Sequence, residues 1–287
     1  MNTSQRTFVV GVDASDDADE ALQWARGAAG TGDRIVVVHA WDIPTLIGID
    51  SATMVPAYDL GDIAAQGLAE LVERQGDARI VPVTRQGHAG RAIVDEAEES
   101  DADVVVVGHR GSGRASVVLG STANHVIHHT KRPVVVVRGE HNAAPELVVV
   151  GADDNDLDDG ENESVRALRW AQQLDGAREI HVVHSWFVPS MIAGRFSNPG
   201  ADFDKMDSAA IAVAERVIAA AGPAPEGVTV TARPVNGTPE FALIEESLAA
   251  DLVVVGSRGR GGFAHLLLGS TSLDLASHSH SPVAIIR

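Results

Sequence analysis

Short, unbroken apolar runs alternate along this chain with longer stretches in which apolar residues recur every three or four positions. The runs Phe8-Val9-Val10, Ile35-Val36-Val37-Val38, Val104-Val105-Val106-Val107 and Val134-Val135-Val136-Val137 are too continuous for strands with one wet face. They read as strands of a parallel sheet covered on both sides. Strands are expected near 7–12, 35–41, 79–84, 103–107 and 134–138, and helices near 16–29, 60–76, 89–100 and 121–130. Strands that alternate with helices predict a Rossmann-like, doubly wound α/β domain. Residues 42–59, with Pro44, Gly48 and Pro56, read as an irregular connection, and 187–204 as its counterpart further on. Loops of that length in a compact domain are often functional.

The pattern then starts again. Phe8 to Asp13 matches Val148 to Asp153, and Ala21-Leu22-Gln23-Trp24-Ala25 matches Ala167-Leu168-Arg169-Trp170-Ala171. Ile35 to Trp41 matches Ile180 to Trp186, Gly87 matches Gly237, and Arg132 to Arg138 matches Ser281 to Arg287. Order is kept throughout, so the chain is two copies of one domain, 1–139 and 146–287, joined by a short polar linker. The last strand of each copy is apolar from end to end. Pairing those two strands across a pseudo-twofold axis, as a dimer within one chain, would cover both edges. Trp24 and Trp170 sit on Ala/Leu helix faces and are expected in the core.

Each copy carries a strand that empties into a glycine-spaced loop. The first reads Val107-Gly108-His109-Arg110-Gly111 and reaches Gly120-Ser121-Thr122; the second reads Val255-Gly256-Ser257-Arg258-Gly259 and reaches Gly269-Ser270-Thr271. Backbone N–H groups approach an anion closely where no Cβ intervenes, and a helix start offers unpaired donors. In open α/β sheets ligands bind beyond the carboxyl ends of strands where strand order reverses. Asp13 and Asp153, just past the first strand of each copy, would face that crevice as nucleoside acceptors or serve as N-caps of the next helix. No Gly is followed by Lys, so a P-loop is absent, and no dinucleotide glycine pattern follows the first strand.

Composition narrows the partners. The formal net charge is −18 over 287 residues, which argues against binding nucleic acid through its phosphates. No cysteine is present, so disulfides and thiolate metal sites are excluded. The polar start and the lack of a long apolar run predict a cytoplasmic protein away from membranes. The acidic stretch 153–161 lacks the ligand spacing of a calcium loop and reads as solvated. His125, His128 and His129 read as charge partners of a helix C-terminus rather than as a zinc site.

Gly256-x-x-Gly259, nine residues, then Gly269-Ser270 resembles the phosphate-loop motif of universal stress proteins. Gly11-Val12-Asp13-x-Ser15, the His-Ala and His-Ser ends of the second strands, and the Pro-Val-x-x-x-Arg close of each copy resemble that family too. The resemblance implies a five-stranded parallel sheet in each copy, order 3-2-1-4-5, and ATP binding in members that carry the motif. It implies Asp13 and Asp153 against adenosine, and Ala40 and Ser185 against adenine. It implies Gly108, Gly111, Gly120, Ser121 and Thr122 around ribose and phosphates in the first copy, with Gly256, Gly259, Gly269, Ser270 and Thr271 in the second. Magnesium would offset repulsion between a triphosphate and the acidic stretch, as would loop arginines. Eight residues, not nine, separate Gly111 from Gly120, so spacing favours the second copy as the binding one. The function expected is a stress-response module that binds ATP or a related adenine nucleotide with slow hydrolysis at most. A nucleotide hydrolase or phosphotransferase on the same scaffold, or a nucleotide-free interaction module, are the alternatives, and tandem chains could assemble further into homodimers.

Overall fold

The valine runs form strands, and the periodic stretches form the helices between them. The computed structural model describes residues 5–42, 57–111, 119–139, 144–153, 162–188, 199–258 and 268–287. Two compact units divide at Val134/Val135. The first runs β1 (Thr7–Gly11), α1 (Asp16–Ala28), β2 (Arg34–Trp41), α2 (Ala57–Gln75), β3 (Ile80–Gln86), α3 (Ala89–Glu99), β4 (Val104–Gly108) and α4 (Ser121–His129). The boundary between the units falls at the start of β5 (Val134–Val137). The second unit continues with β6 (Leu147–Gly151), α5 (Glu163–Ala171), β7 (Glu179–Trp186), α6 (Pro199–Ala221), β8 (Thr229–Asn236), α7 (Pro239–Glu246), β9 (Leu252–Gly256), α8 (Ser270–His278) and β10 (Val283–Ile286).

Strands lie in the order β3-β2-β1-β4 in the first unit and β8-β7-β6-β9-β10 in the second. The β1–β2, β1–β4, β6–β7 and β6–β9 pairs are parallel, with Val9 opposite Val36 and Val105, and Val149 opposite His181 and Val253. The central strands are buried on both faces, as their unbroken apolar runs require; Val9, Val10, Val105 and Val106 have no exposed surface. The terminal strands β3 and β8 instead carry mixed burial, and each contains a proline, Pro82 and Pro234. Proline has no N–H to donate to a ladder, so within a sheet it belongs on a terminal strand.

The expected elements appear within a few residues of their predicted ends, apart from the long connections. Helix α2 begins at Ala57 and α6 at Pro199, both inside stretches expected to be irregular. Most of those two connections, 43–56 and 189–198, lies outside the described residues, as does most of the acidic stretch. Trp24 is fully buried, whereas Trp170 is only partly so.

A polar network ties the amino ends of the strands to the helix ends beside them. Asp77 accepts from the guanidinium of Arg79 at 2.7 Å and from Arg26 Nε at 3.2 Å, and Arg79 also donates to the α1 carbonyls of Arg26 and Ala29. The hydrogen bond from Arg79 holds the Asp77 carboxyl far below the usual carboxylate range, against the opposing effect of burial. A carboxylate with a depressed folded pKa stabilises at neutral pH and loses that contribution as pH falls below its unfolded value of 3.8. Asp77→Asn should therefore cost about 2 kcal/mol at pH 7 by denaturant unfolding, with the gap from the wild type closing as the pH is lowered toward 2. A gap that stays constant across that range would rule out the ionised network as its source.

Candidate functional site

The first unit lays β2 and β3 on one side of β1 and then returns to place β4 on the other. Strand order thus reverses between β1 and β4, which opens a crevice at their carboxyl ends. One pocket there is lined by Val12 and Asp13 past β1, Ala40 near the end of β2, Gly108 at the end of β4, Arg110 and Gly111 in the glycine loop, and Thr122 in α4. Ala18 of α1 and Ala89 and Ile93 of α3 supply its apolar walls. Five of the seven first-copy residues named from sequence therefore meet at one place: Asp13, Ala40, Gly108, Gly111 and Thr122. The other two flank it. Gly120 is the N-cap of α4 and donates its N–H to the His109 carbonyl at 2.8 Å, and Ser121 opens the helix.

Local chemistry explains how this end is held. Ser15, not Asp13, caps α1, its hydroxyl accepting from the Ala18 N–H. Asp13 instead accepts from the N–H and hydroxyl of Ser15, at 3.2 and 2.5 Å. The intervening Ala14 adopts φ 62°, a left-handed conformation costly for a residue with a Cβ and typical of functional turns. Behind the turn, His39 Nδ1 lies 3.0 Å from the Val12 carbonyl, and its counterpart His184 lies 2.8 Å from the Ala152 carbonyl. A carbonyl only accepts, so both histidines donate from Nδ1 and fix the turn that carries Asp13 or Asp153. The histidines were visible in sequence as markers of strand ends, but this role was not.

Two glycines are needed for close approach. A Cβ on Gly108 would come within 2.6 Å of the Asp17 carbonyl oxygen, and one on Gly111 within 2.5 Å of Asp13 Oδ2. Helices α4 and α8 start from glycine N-caps, Gly120 and Gly269, so no capping side chain covers their first-turn amides. Those amides are the donors that an anion would meet.

In the second unit Asp153 follows β6, and its N–H donates to the Ser164 hydroxyl at 2.9 Å. The cap of α5 is Asn162, whose side chain accepts from Val165 at 2.7 Å. Ser185 lies near the end of β7, beside Val235 of β8. Gly269 closes the loop by donating to the Ser257 carbonyl at 2.7 Å, Ser270 and Thr271 open α8, and the Ser272 hydroxyl donates to the Gly256 carbonyl. Gly259 lies outside the described residues.

One pair of residues was missed. Asp17 Oδ2 accepts the Arg110 N–H at 3.0 Å and lies 3.0 Å from His109 Nδ1. At the equivalent place Glu163 accepts the Arg258 N–H at 2.5 Å, the Arg258 Nε at 2.8 Å and the Ser257 hydroxyl at 3.1 Å. Both carboxylates look in sequence like ordinary acidic residues of a helix first turn. The matched arginines two positions past Gly108 and Gly256 were the available signal.

The histidine cluster behaves as a helix terminus. His128 and His129 point Nδ1 at the carbonyls of Asn124 and His125, and His125 stacks on His129 with ring centroids 4.0 Å apart. No group able to hold a metal occurs among the described residues.

The model of the universal stress protein family matches residues 5–138 and again 146–287. A universal stress protein of Mycolicibacterium smegmatis is 30% identical over 303 residues, covering 100% of this chain and 99% of the relative. One from Mycobacterium tuberculosis is 28% identical over 294 residues, covering 98% and 96%. The crystal structure of a universal stress protein from Archaeoglobus fulgidus matches with a TM-score of 0.65 at 24% identity, over 98% of this chain and 96% of that one.

The two glycines should respond differently to a side chain. Gly108→Val meets backbone and should cost about 3 kcal/mol in denaturant unfolding. Among the described residues Gly111→Val meets only the Asp13 carboxylate, which can turn away, so it should lose less than about 1 kcal/mol while displacing Asp13. Equal losses would show that the loop is not packed as described.

Proposed function

The chain belongs to the universal stress protein family, and on that premise we propose that it binds ATP or a related adenine nucleotide as a regulatory module. The observation that carries this reading is the convergence of Asp13, Ala40, Gly108, Gly111 and Thr122 on one pocket at the reversal of strand order. In this reading Asp13 accepts a hydrogen bond from the adenosine part, and the backbone near Ala40 lies against the base. The glycine loop and the start of α4 take ribose and phosphates. Magnesium would share the phosphate charge in this acidic chain. Asp153, Ser185, Gly256, Gly259, Gly269, Ser270 and Thr271 are proposed for the same roles in the second domain.

Spacing alone ranked the second copy first. The convergence of the first copy's residues on the pocket supports a site there as well, although its loop is one residue shorter. Among the described residues that line the pocket the one carboxylate, Asp13, is engaged by Ser15, which favours positioning over turnover. No described helix is long and apolar enough to cross a membrane. We propose separately that the protein acts in the cytoplasm.

Titration of the full chain with ATP by calorimetry tests the reading. Binding in the micromolar to millimolar range is expected, with Asp13→Ala weakening it about tenfold, a difference of about 1.4 kcal/mol. No heat at millimolar ATP, and no nucleotide released from the purified protein on denaturation, would sink it. Turnover well above background, lost in Asp13→Ala, would move the protein to the hydrolase class.

A further inference from the structure

Helices α3 and α4 meet on a titratable side chain. A Cβ added at Gly90 would come within 2.6 Å of the His125 Cβ and 2.8 Å of its Cγ, so the bare glycine lets α3 settle directly on His125. The His125 imidazole stacks on His129 of the same helix, with centroids 4.0 Å and planes 14° apart. His88, the N-cap of α3, brings a third ring to within 5.3 Å of His125, tilted by 55°. His125 is half-buried while His88 and His129 are exposed, so protons reach the cluster directly from solvent.

The charges around these rings are unbalanced. From α3 come His88, Arg91 and Asp95, and α4 adds His128 and His129 beside His125. Asp95 already pairs with Arg91 at 3.6 Å, which leaves little negative charge to meet a proton on the rings. Two imidazolium rings stacked 4.0 Å apart would repel each other. Burial holds His125 below the ordinary histidine value of 6.5, with His129, His88 and Arg91 adding to the effect and Asp95 opposing it. The unfolded chain therefore takes up that proton first, and the stability this contact contributes is present at neutral pH and lost as pH falls below 6.5. We propose that His88, His125 and His129 form an acid-sensitive clasp between α3 and α4, centred on His125, which is closed while the rings are neutral and loosens when they take up protons.

The clasp is a device of the first domain. The positions that match His88, Gly90 and His125 in the second hold Thr238, Glu240 and Asp274, and of the three rings it keeps the match of His129 alone, as His278. Its placement couples it to the crevice. Ala89 and Ile93 of α3 and Thr122 of α4 line the first-domain pocket, and His88 directly precedes Ala89. Loosening shifts one wall of that pocket against the start of α4. If the pocket holds nucleotide, as proposed above, acid then alters one of the two sites and spares the other.

Hydrogen exchange of the full chain, read by mass spectrometry at about pH 7.5 and 5.5 and corrected for the intrinsic pH dependence of exchange, tests the clasp. Peptides from α3 and α4 should exchange at least about threefold faster at the acid pH, while those from α7 and α8 stay unchanged. His125→Phe, which keeps a flat ring but takes no proton, should abolish the acid effect. His125→Arg, which carries its charge throughout, should exchange fast at both pH values. Circular dichroism and cooperative melting at neutral pH establish that each variant is folded; should the phenylalanine variant fail that check, His125→Gln decides. Equal wild-type protection at the two pH values overturns the proposal, and so does acid loosening that persists unchanged in His125→Phe. Calorimetry with ATP on the same samples separates the two readings. Helices that loosen in a protein that binds no ATP support the clasp and overturn the nucleotide reading alone; ATP binding with unchanged protection does the reverse.

Discussion

A parallel sheet covered on both faces confines polar chemistry to the ends of its strands. Val9, Val10, Val105 and Val106 are fully buried, so little of the middle of the sheet meets solvent. At the carboxyl end, where β1 and β4 part, strand carbonyls and helix amides are left to be satisfied by turns, caps or a ligand. The features of the site follow from that shortage of partners. Ser15 and Asn162 cap helices, His39 and His184 hold carbonyls, Asp13 folds onto Ser15, and Asp17 and Glu163 catch loop amides. Where Gly120 and Gly269 leave helix starts without a capping side chain, the remaining donors are open to an anion from outside.

Much of this was legible in the chain before any coordinates. Short unbroken valine runs read as doubly covered strands because β-branched side chains favour extended backbone and a strand wet on one face would alternate, and the repeat of Ala-Leu-x-Trp-Ala set the two copies in register. The pocket residues of the first copy were legible because each is tied to a strand end, and strand ends converge where order reverses. Asp17 and Glu163 were not. Each sits more than ninety residues from its loop partner, |i−j| 93 and 95, and an acid in a helix first turn already has an adequate local explanation in the dipole. The motif that Trp170 shares with Trp24 specifies the helix face but not how completely the indole is covered.

The duplicated halves have diverged most where the sheet constrains them least. Strand registers match residue for residue, Val9 opposite Val36 as Val149 is opposite His181, whereas the loop anions differ by one methylene and their neighbours by charge. The packing around Gly108 and Gly256 depends on Asp17 and Glu163 respectively, so helix α1 or α5 is as much a part of each loop as the glycines are.

Pro82 and Pro234 carry a consequence of their own. A chain that holds two related domains risks exchange during synthesis, when strands of one half can add to the unfinished sheet of the other. A terminal strand with a full row of N–H donors is a template for such an addition. A proline in β3 and in β8 interrupts that row in both halves, so neither strand offers an unbroken ladder to a wandering copy of its neighbour. The same two residues would also discourage growth of the sheet between separate molecules, which matters for a chain this rich in valine strands.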